Sequence, residues 1–398
     1  MRPLAVTAHR LITPRRLLPD HVVLSQGNTI TEIGPVGEVS IPRSADRIEA
    51  PDGFVVPGFV DLQVNGAFGV DVATATVDEL LDLSRQLAAV GTTSFLPTVI
   101  TGSHEDTIRA IGTIRQASEQ PSQGAEILGM HLEGPFISEE KRGTHPARYV
   151  RKPSLAETES FLEESGGRLR MLTLAPEAEH AEEVIRLLSS RGVAVSIGHT
   201  SASFDQTIAA IDAGAVMATH TLNAMSALHH RVPGVVGAVL ADGRIHAGAI
   251  ADGIHLHPSV VRLIYLAKGP HRFVLVTDSM AAAGLGDGVF RLGQSVRVTV
   301  LEGKAVDQDG TLAGSTLTMC DAVRKAVAFT GASLARMISS ASLVPARVLS
   351  VSDRKGEIAP GRYADFVVLS EELVPTAVVA RGRIVRGGER DPCEGRSV

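Results

Sequence analysis

The chain has 398 residues, enough for two or three average domains or for one large barrel with an accessory domain. Its 44% hydrophobic and 21% charged residues are ordinary for a globular enzyme, and a net charge of −6 with no basic stripe argues against a nucleic-acid partner. No stretch approaches the roughly 18 apolar residues of a membrane span, and the arginine-bearing start lacks the apolar run of a secretory signal, so the expected location is the cytoplasm.

Residues 1–50 alternate short strand-like pieces (LAVTAHRLIT, DHVVLSQGNTITEIG) with Pro, Gly and Asp breaks, which predicts a small antiparallel sheet. From residue 57 the rhythm changes to apolar strand, polar strand end, amphipathic helix. The strand candidates are FVVPGFVDLQV, TTSFLPTVI, EILGMHL, RLRMLTLAP, VAVSIGH, AVMATHT, IHAGAIAD and FVLVTD, eight in all, the number that closes a (β/α)8 barrel of the TIM type. Between them VDELLDLSRQLAAVG, EAEHAEEVIRLLSSRG and SFDQTIAAIDAG read as helices stopped by Gly91, Gly192 and Gly214; residues 258–268 and the stretch after Leu317 supply more. An open doubly wound sheet is the competing α/β architecture, but it would begin with a Gly-rich phosphate loop, and the first strand is followed by none. The C-terminal pieces GEIAPGRYADFVVLS and TAVVARGRIVRGG resemble the N-terminal ones in texture. The expected organisation is therefore a small composite β-sandwich domain from residues 1–56 and 354–398, with a barrel over residues 57–353 inserted between them. Cys320 and Cys393 stand in no metal-type spacing and suggest no disulfide framework; Cys320 reads as a helix core residue.

In such a barrel the C-terminal ends of the strands share one rim, so residues distant in sequence converge there. The rim offers Gln63 and Asn65, Thr98, Glu133, His199, His220, Asp252 with His255, and Asp278. A single histidine at a strand end reads as a hydrogen-bonded structural residue; two of them sharing a rim with Glu133 read as a metal centre. Glu133, His199 and His220 are the expected ligands of a divalent ion, zinc by the chemistry of the donors, with a fourth position for water. Asp278 is the remaining carboxylate and suits a general base that becomes a general acid, against the alternative of a helix cap. His131 reads as a core or supporting residue, His9, His21, His104 and His180 fall outside the rim, and Asp71 and Asp82 read as ordinary loop and helix acids.

The segments PGFVDLQVNG (57–66), HLEGPF (131–136), KRGTHPARYVRKP (141–153), SIGHTSA (196–202), THTLNAMSALHHRVPGVVG (219–237), ADGIH (251–255), VTDSMAAAG (276–284) and LAGSTLTM (312–319) resemble, in this order, the N-acetylglucosamine-6-phosphate deacetylase family of the amidohydrolase superfamily. The resemblance implies a homodimer that cleaves the acetamide of an amino-sugar phosphate. It implies the same metal ligands and the same role for Asp278. It further implies substrate contacts from Thr144, His145, Asn223, Ala224, Arg231 and His255 and from the backbone of Leu312, Ala313 and Gly314. A phosphate needs guanidinium and amide donors, and either His145 or His255 could donate to the acetyl oxygen as it gains charge. Many members of the superfamily carry His-x-His after the first strand, where this chain has Gln63-Val64-Asn65. Amides are poor zinc ligands beside imidazole, so the expectation is one ion per subunit, with Gln63 supporting it from outside. The competing functions are deacetylation of the galactosamine epimer, hydrolysis of a cyclic amide, nucleobase deamination, and non-catalytic sugar-phosphate binding.

Overall fold

A computed structural model describes residues 2–14, 16–121 and 123–387. Residues 388–398, with Cys393 and the end of the expected C-terminal segment, lie outside the described residues.

Eight parallel strands run in chain order around a barrel: Phe59–Val64, Thr92–Ile100, Met130–Glu133, Leu169–Leu174, Ala194–Ile197, Ala215–Ala218, His246–Ala249 and Phe273–Leu275. Each pairs with the next, and the first returns to the last through a bridge from Val64 to Ser279. Their residues are buried almost throughout, because one face fills the barrel and the other is covered by helices; this is why they read as continuous apolar runs. The helices begin at recognisable caps. Thr76 and Glu79 form a reciprocal capping box before Val77–Ala89, Ser203 and Gln206 do the same before Phe204–Ala213, and Thr318 caps Met319–Thr330.

One layer below the rim the interior is polar. His131 Nε2 lies 2.8 Å from Thr173 Oγ1, which lies 2.7 Å from Thr219 Oγ1, itself 2.6 Å from Ser196 Oγ. This chain of side chains links the third to the sixth strands directly beneath the residues that project from their ends. His131 is thus a buried supporting residue, and burial holds its imidazole down at about 4, so it stays neutral.

The structure departs from the sequence reading in three places. FVVPGFVDLQV is two strands in two sheets: Phe54–Pro57 belongs to the accessory sheet and Phe59–Val64 to the barrel. The break falls at Gly58, where a Cβ would meet Thr93 Oγ1 at 2.1 Å, a close approach that only glycine allows. A three-stranded antiparallel sheet, Gly288–Leu292, Val296–Leu301 and Lys304–Asp307, follows the eighth barrel strand and encloses its own small core with Ile100, Met280 and Ala313. The N-terminal sheet is mixed, since Leu4–Ile12 pairs antiparallel with Leu17–Gln26 but parallel with Asp46–Ala50 and Phe54–Pro57.

The N- and C-terminal segments meet in that accessory sheet, where Phe54–Pro57 pairs antiparallel with Phe366–Leu369. Its core, including Val6, Leu11, Val55, Phe366 and Val379, is separate from that of the barrel. Lys355 joins the two cores. Its Nζ is buried 2.8 Å from Asp365 at the accessory sheet and 2.8 Å from Glu126 of the barrel sheet. Burial pushes the Glu126 carboxyl up, but the Lys355 charge outweighs it and holds the carboxyl below its ordinary range.

Candidate active site

Glu133 ends the third barrel strand, and His199, His220 and Asp278 follow the ends of the fifth, sixth and eighth by two or three residues; the chain turns sharply at each. Gly134 follows Glu133 with φ 88°, where a Cβ would come within 2.2 Å of Thr101 Oγ1. His199, His220 and Asp278 themselves take positive φ, at 49°, 25° and 50°. Such left-handed conformations are uncommon for residues with a Cβ and cluster at functional sites. Here they break each strand so that its side chain leans over the mouth of the barrel.

Three donor atoms meet there. Glu133 Oε1 lies 2.9 Å from His220 Nε2 and 3.3 Å from His199 Nε2, and the two imidazole nitrogens are 3.1 Å apart. His199 Nδ1 lies 2.9 Å from the Lys141 carbonyl oxygen, which only accepts, so Nδ1 carries the proton and the Nε2 lone pair faces the cluster. Two ligands at about 2.0–2.1 Å from one tetrahedral ion stand about 3.3 Å apart. The spacing of these three atoms, and a donor set of one carboxylate and two imidazoles, therefore fit a divalent cation. Burial pushes Glu133 up, but the close approach of His199 and His220 prevails and holds its carboxyl well below the ordinary range. Burial likewise opposes a proton on His220, and the Glu133 hydrogen bond and charge raise it nonetheless.

His145 also approaches this centre, at 3.8 Å from Glu133 Oε2 and with its ring 4.4 Å from that of His199. Glu133, His145 and His199 each offer an atom within 4.8 Å of the others. The hydrogen bonding of His145 differs from that of His199. Its Nδ1 accepts from the Thr101 backbone N–H at 3.3 Å and contacts Thr101 Oγ1 at 2.8 Å, which leaves the proton on Nε2, toward the centre. Burial holds this imidazole down at about 3, so it is a neutral donor rather than a lone pair.

Asp278 is buried, and burial first, then the nearby Glu133 charge, push its carboxyl up to about 7. Asn65 Nδ2 donates to its Oδ1 at 2.7 Å, while Gln63 Nε2 donates to Glu133 Oε1 at 2.9 Å. The two amides of the Gln-x-Asn segment thus hold one carboxylate each. Asp61, two residues before Gln63 on the same strand, accepts from Thr277 Oγ1 at 2.6 Å and ties the first strand to the segment carrying Asp278.

These groups open into a cavity of about 370 Å³. Thr144, His145, Asn223, Ala224, His255, Leu312 and Gly314 all line it, as do Asn65 and Asp278. Thr144 Oγ1 is buried without a hydrogen-bond partner, an orphan hydroxyl facing a ligand space. His255 is held by Asp252, whose Oδ2 is 2.6 Å from its Nδ1 and whose other oxygen takes the backbone N–H of Ile254 and His255. Ala313 is buried in the core of the three-stranded sheet and gives its N–H to Ala305. Arg231 is not among the lining residues. It lies exposed on the loop after the sixth strand, its guanidinium 2.7 Å from His230 Nε2.

Sequence reasoning placed Asn65 on the rim without a role and passed over Glu177, Lys141 and Ile100. Glu177 accepts from the Thr200 hydroxyl and, at 2.6 Å, from the Ser201 N–H, and so fixes the turn behind His199. Its position just after the fourth strand was the available signal. Asp71, read as an ordinary loop acid, is largely enclosed: it accepts from the Gly293 N–H at 2.7 Å, and burial pushes it up to about 6.

A barrel with a carboxylate, two imidazoles and a further carboxylate at its strand ends defines a hydrolase with a site able to hold a metal ion. Residues 54–385 match the amidohydrolase family. The N-acetylglucosamine-6-phosphate deacetylase of Bacillus subtilis is 38% identical over 94% of this chain and 96% of its own length. The N-acetylgalactosamine-6-phosphate deacetylase of Escherichia coli O157:H7 is 37% identical over 95% and 98%. Among solved structures, a mutant N-acetyl-D-glucosamine-6-phosphate deacetylase of Mycobacterium smegmatis, in complex with N-acetyl-D-glucosamine-6-phosphate, superimposes with a TM-score of 0.91 at 35% identity, covering 97% of this chain and all of that one. The chain belongs to the amidohydrolase family and, within it, to the N-acetylglucosamine-6-phosphate deacetylases.

Proposed function

We propose that the chain hydrolyses the acetamide of N-acetyl-D-glucosamine 6-phosphate to D-glucosamine 6-phosphate and acetate. The observation that carries this reading is the meeting of Glu133, His199 and His220 at 2.9–3.3 Å in a cavity that also holds Asp278. Those three residues would hold one divalent ion per subunit, and their nitrogen-rich donor set suits zinc. A cation there supplies a Lewis acid for the acetamide oxygen and lowers the pKa of a water molecule. Asp278 takes the proton from the attacking water as the C–O bond forms and delivers it to the sugar nitrogen as the C–N bond breaks. His145 donates from Nε2 to the acetamide oxygen as it gains charge, a role its neutral, buried state favours over that of a ligand.

The sugar phosphate would lie against Thr144, Asn223, Ala224, His255 and the Leu312–Gly314 loop. Arg231 does not line its own cavity, so its contact with phosphate would come from a second copy of the chain in a homodimer. Leu228 and Val232, 54% and 68% exposed on the same loop, are apolar surface that such a dimer would cover. Residues 1–56 and 354–398 would form the accessory domain and 57–353 the barrel. Among the described residues no helix is long and apolar enough to cross a membrane, in keeping with action in the cytoplasm.

The test is acetate release from N-acetylglucosamine 6-phosphate before chelation, after chelation, and after zinc is restored. Activity that survives chelation removes the metal from the mechanism. Equal rates with unphosphorylated N-acetylglucosamine would refute the phosphate contacts, and faster release from the galactosamine epimer would move the assignment to that substrate.

A further inference from the structure

We propose that Ile100, backed by Leu292, is the wall that limits the acyl group, so that acetyl is accepted and longer chains are excluded. This rests on the deacetylase reading above and names the residue that would set its acyl specificity.

The order of the strands locates the wall. In an eight-stranded barrel the second strand stands across from the sixth, and Ile100 ends the second. Asn223 and Ala224 follow the sixth strand and His255 the seventh, so most of the proposed sugar-phosphate contacts lie on that side of the mouth, with Thr144 reaching in from the loop after the third strand. The acyl group leaves the amide in the opposite direction, toward Ile100. Register gives the same answer at closer range. Ile100 is the paired neighbour of Glu133, and the next residue, Thr101, holds His145 Nδ1. Ile100 therefore stands beside both the expected ligand carboxylate and the donor aimed at the acyl oxygen.

Its chemistry and rigidity suit a wall. Most of the residues that line the cavity are polar, and its larger apolar side chains are Ile100, Ile250, Leu292 and Leu312. Ile250 follows the seventh strand and Leu312 lies on the loop assigned to the sugar phosphate, which leaves Ile100 and Leu292 for the acyl end. Ile100 is 6% exposed and Leu292 2%, and both belong to the small core beneath the three-stranded sheet. Ile100 packs close to the Gly293 backbone, where an added Cβ would lie 3.0 Å from its Cδ1, so the isoleucine is held on that side by the strand that carries Leu292.

The experiment compares kcat/KM for N-acetyl-, N-propionyl- and N-butyryl-glucosamine 6-phosphate with the metal-replete full-length protein and its variants. Because one methylene in an apolar pocket is worth about 10–200-fold, Ile100→Ala should cut the preference for acetyl over butyryl by more than about tenfold. Ile100→Val should move the ratio the same way by less, and Leu292→Ala should also relax it; these two keep the question open to refutation if the alanine variant at 100 fails to fold. Ile250→Ala, on the sugar-phosphate side, should leave the ratio unchanged. A ratio that stays within about twofold of wild type in every folded Ile100 and Leu292 variant overturns the wall, since even one methylene should exceed that. So does wild type that cleaves the butyryl substrate as well as the acetyl one, or a relaxation seen only in Ile250→Ala. Wild type that releases no acetate refutes the deacetylase reading and the wall with it, whereas an active enzyme with an unmoved ratio refutes the wall alone.

Discussion

Replacing Asp278 with Asn should make the metal-free protein more stable while it abolishes turnover. Burial, and then the Glu133 charge, push the Asp278 carboxyl up to about 7 from 3.8, so at pH 8 the fold holds an ionised group against its preference. The native state binds this proton more tightly than the unfolded chain, so the cost is absent below the unfolded value, grows between the two, and is complete above about pH 7. The two pKa values correspond to about 4 kcal/mol at pH 8 and about 2 kcal/mol at pH 5. Asn keeps the shape and can still accept from Asn65 Nδ2, so little of that gain is lost to a broken hydrogen bond. The assay is urea unfolding of wild type and Asp278→Asn in the presence of chelator at both pH values, with acetate release measured on the metal-replete proteins. The variant should unfold at higher urea at pH 8, with the gap narrowing at pH 5. A variant less stable than wild type at pH 8, or a gap that does not depend on pH, would refute the claim that Asp278 is held ionised at a cost. Turnover within about tenfold of wild type would remove it from proton transfer, since that step contributes about 100-fold or more.

Other outcomes follow from the same geometry. His199→Ala and His220→Ala should each lower bound metal by elemental analysis, while His145→Ala should retain it and lose kcat; equal metal loss in all three would make His145 a ligand. Asn65 lowers the Asp278 pKa through its N–H, so Asn65→Ala should move the acid limb of the kcat/KM profile to higher pH, and an unmoved limb would show that the bond is idle in the working enzyme. Lys355→Met leaves Glu126 and Asp365 facing each other in a buried space and should cost about 3–5 kcal/mol at neutral pH. Because Lys355 holds Glu126 below its ordinary range, its contribution is present above that range and fades as acid protonates the carboxyl. A deficit in thermal stability that grows on acidification would contradict this.

The barrel was legible because each strand is an apolar run ended by a polar residue and followed by a capped helix, and both patterns are local. Glu133, His199, His220 and Asp278 stood out for the same reason, as charged or titratable groups where an apolar run stops. What the sequence hid is set by contacts between distant segments. Gly58 breaks a strand because Thr93, on the next strand, leaves no room for a Cβ. The three-stranded sheet was missed because its strands are short, partly exposed and separated by turns. No local pattern tells that Thr101 donates to His145, which is the bond that decides between ligand and donor. Ile100 ends an apolar run like any core residue, and only the register that sets it beside Glu133 marks it out.

The Gln63-Val64-Asn65 segment explains how one cation could serve a site with two carboxylates. Two buried negative groups so close would ordinarily call for two positive ones or for a shared proton. Here each oxygen pair is met by a neutral donor: Gln63 Nε2 reaches Glu133 and Asn65 Nδ2 reaches Asp278. An amide N–H stabilises a carboxylate without lone pairs aimed at the same point, so it does not compete for an ion as an imidazole would. The alternation of a strand places Gln63 and Asn65 on one face, two residues apart, each against a different carboxylate. Glu133 is thereby left between the two imidazoles, while Asp278 keeps a donor of its own.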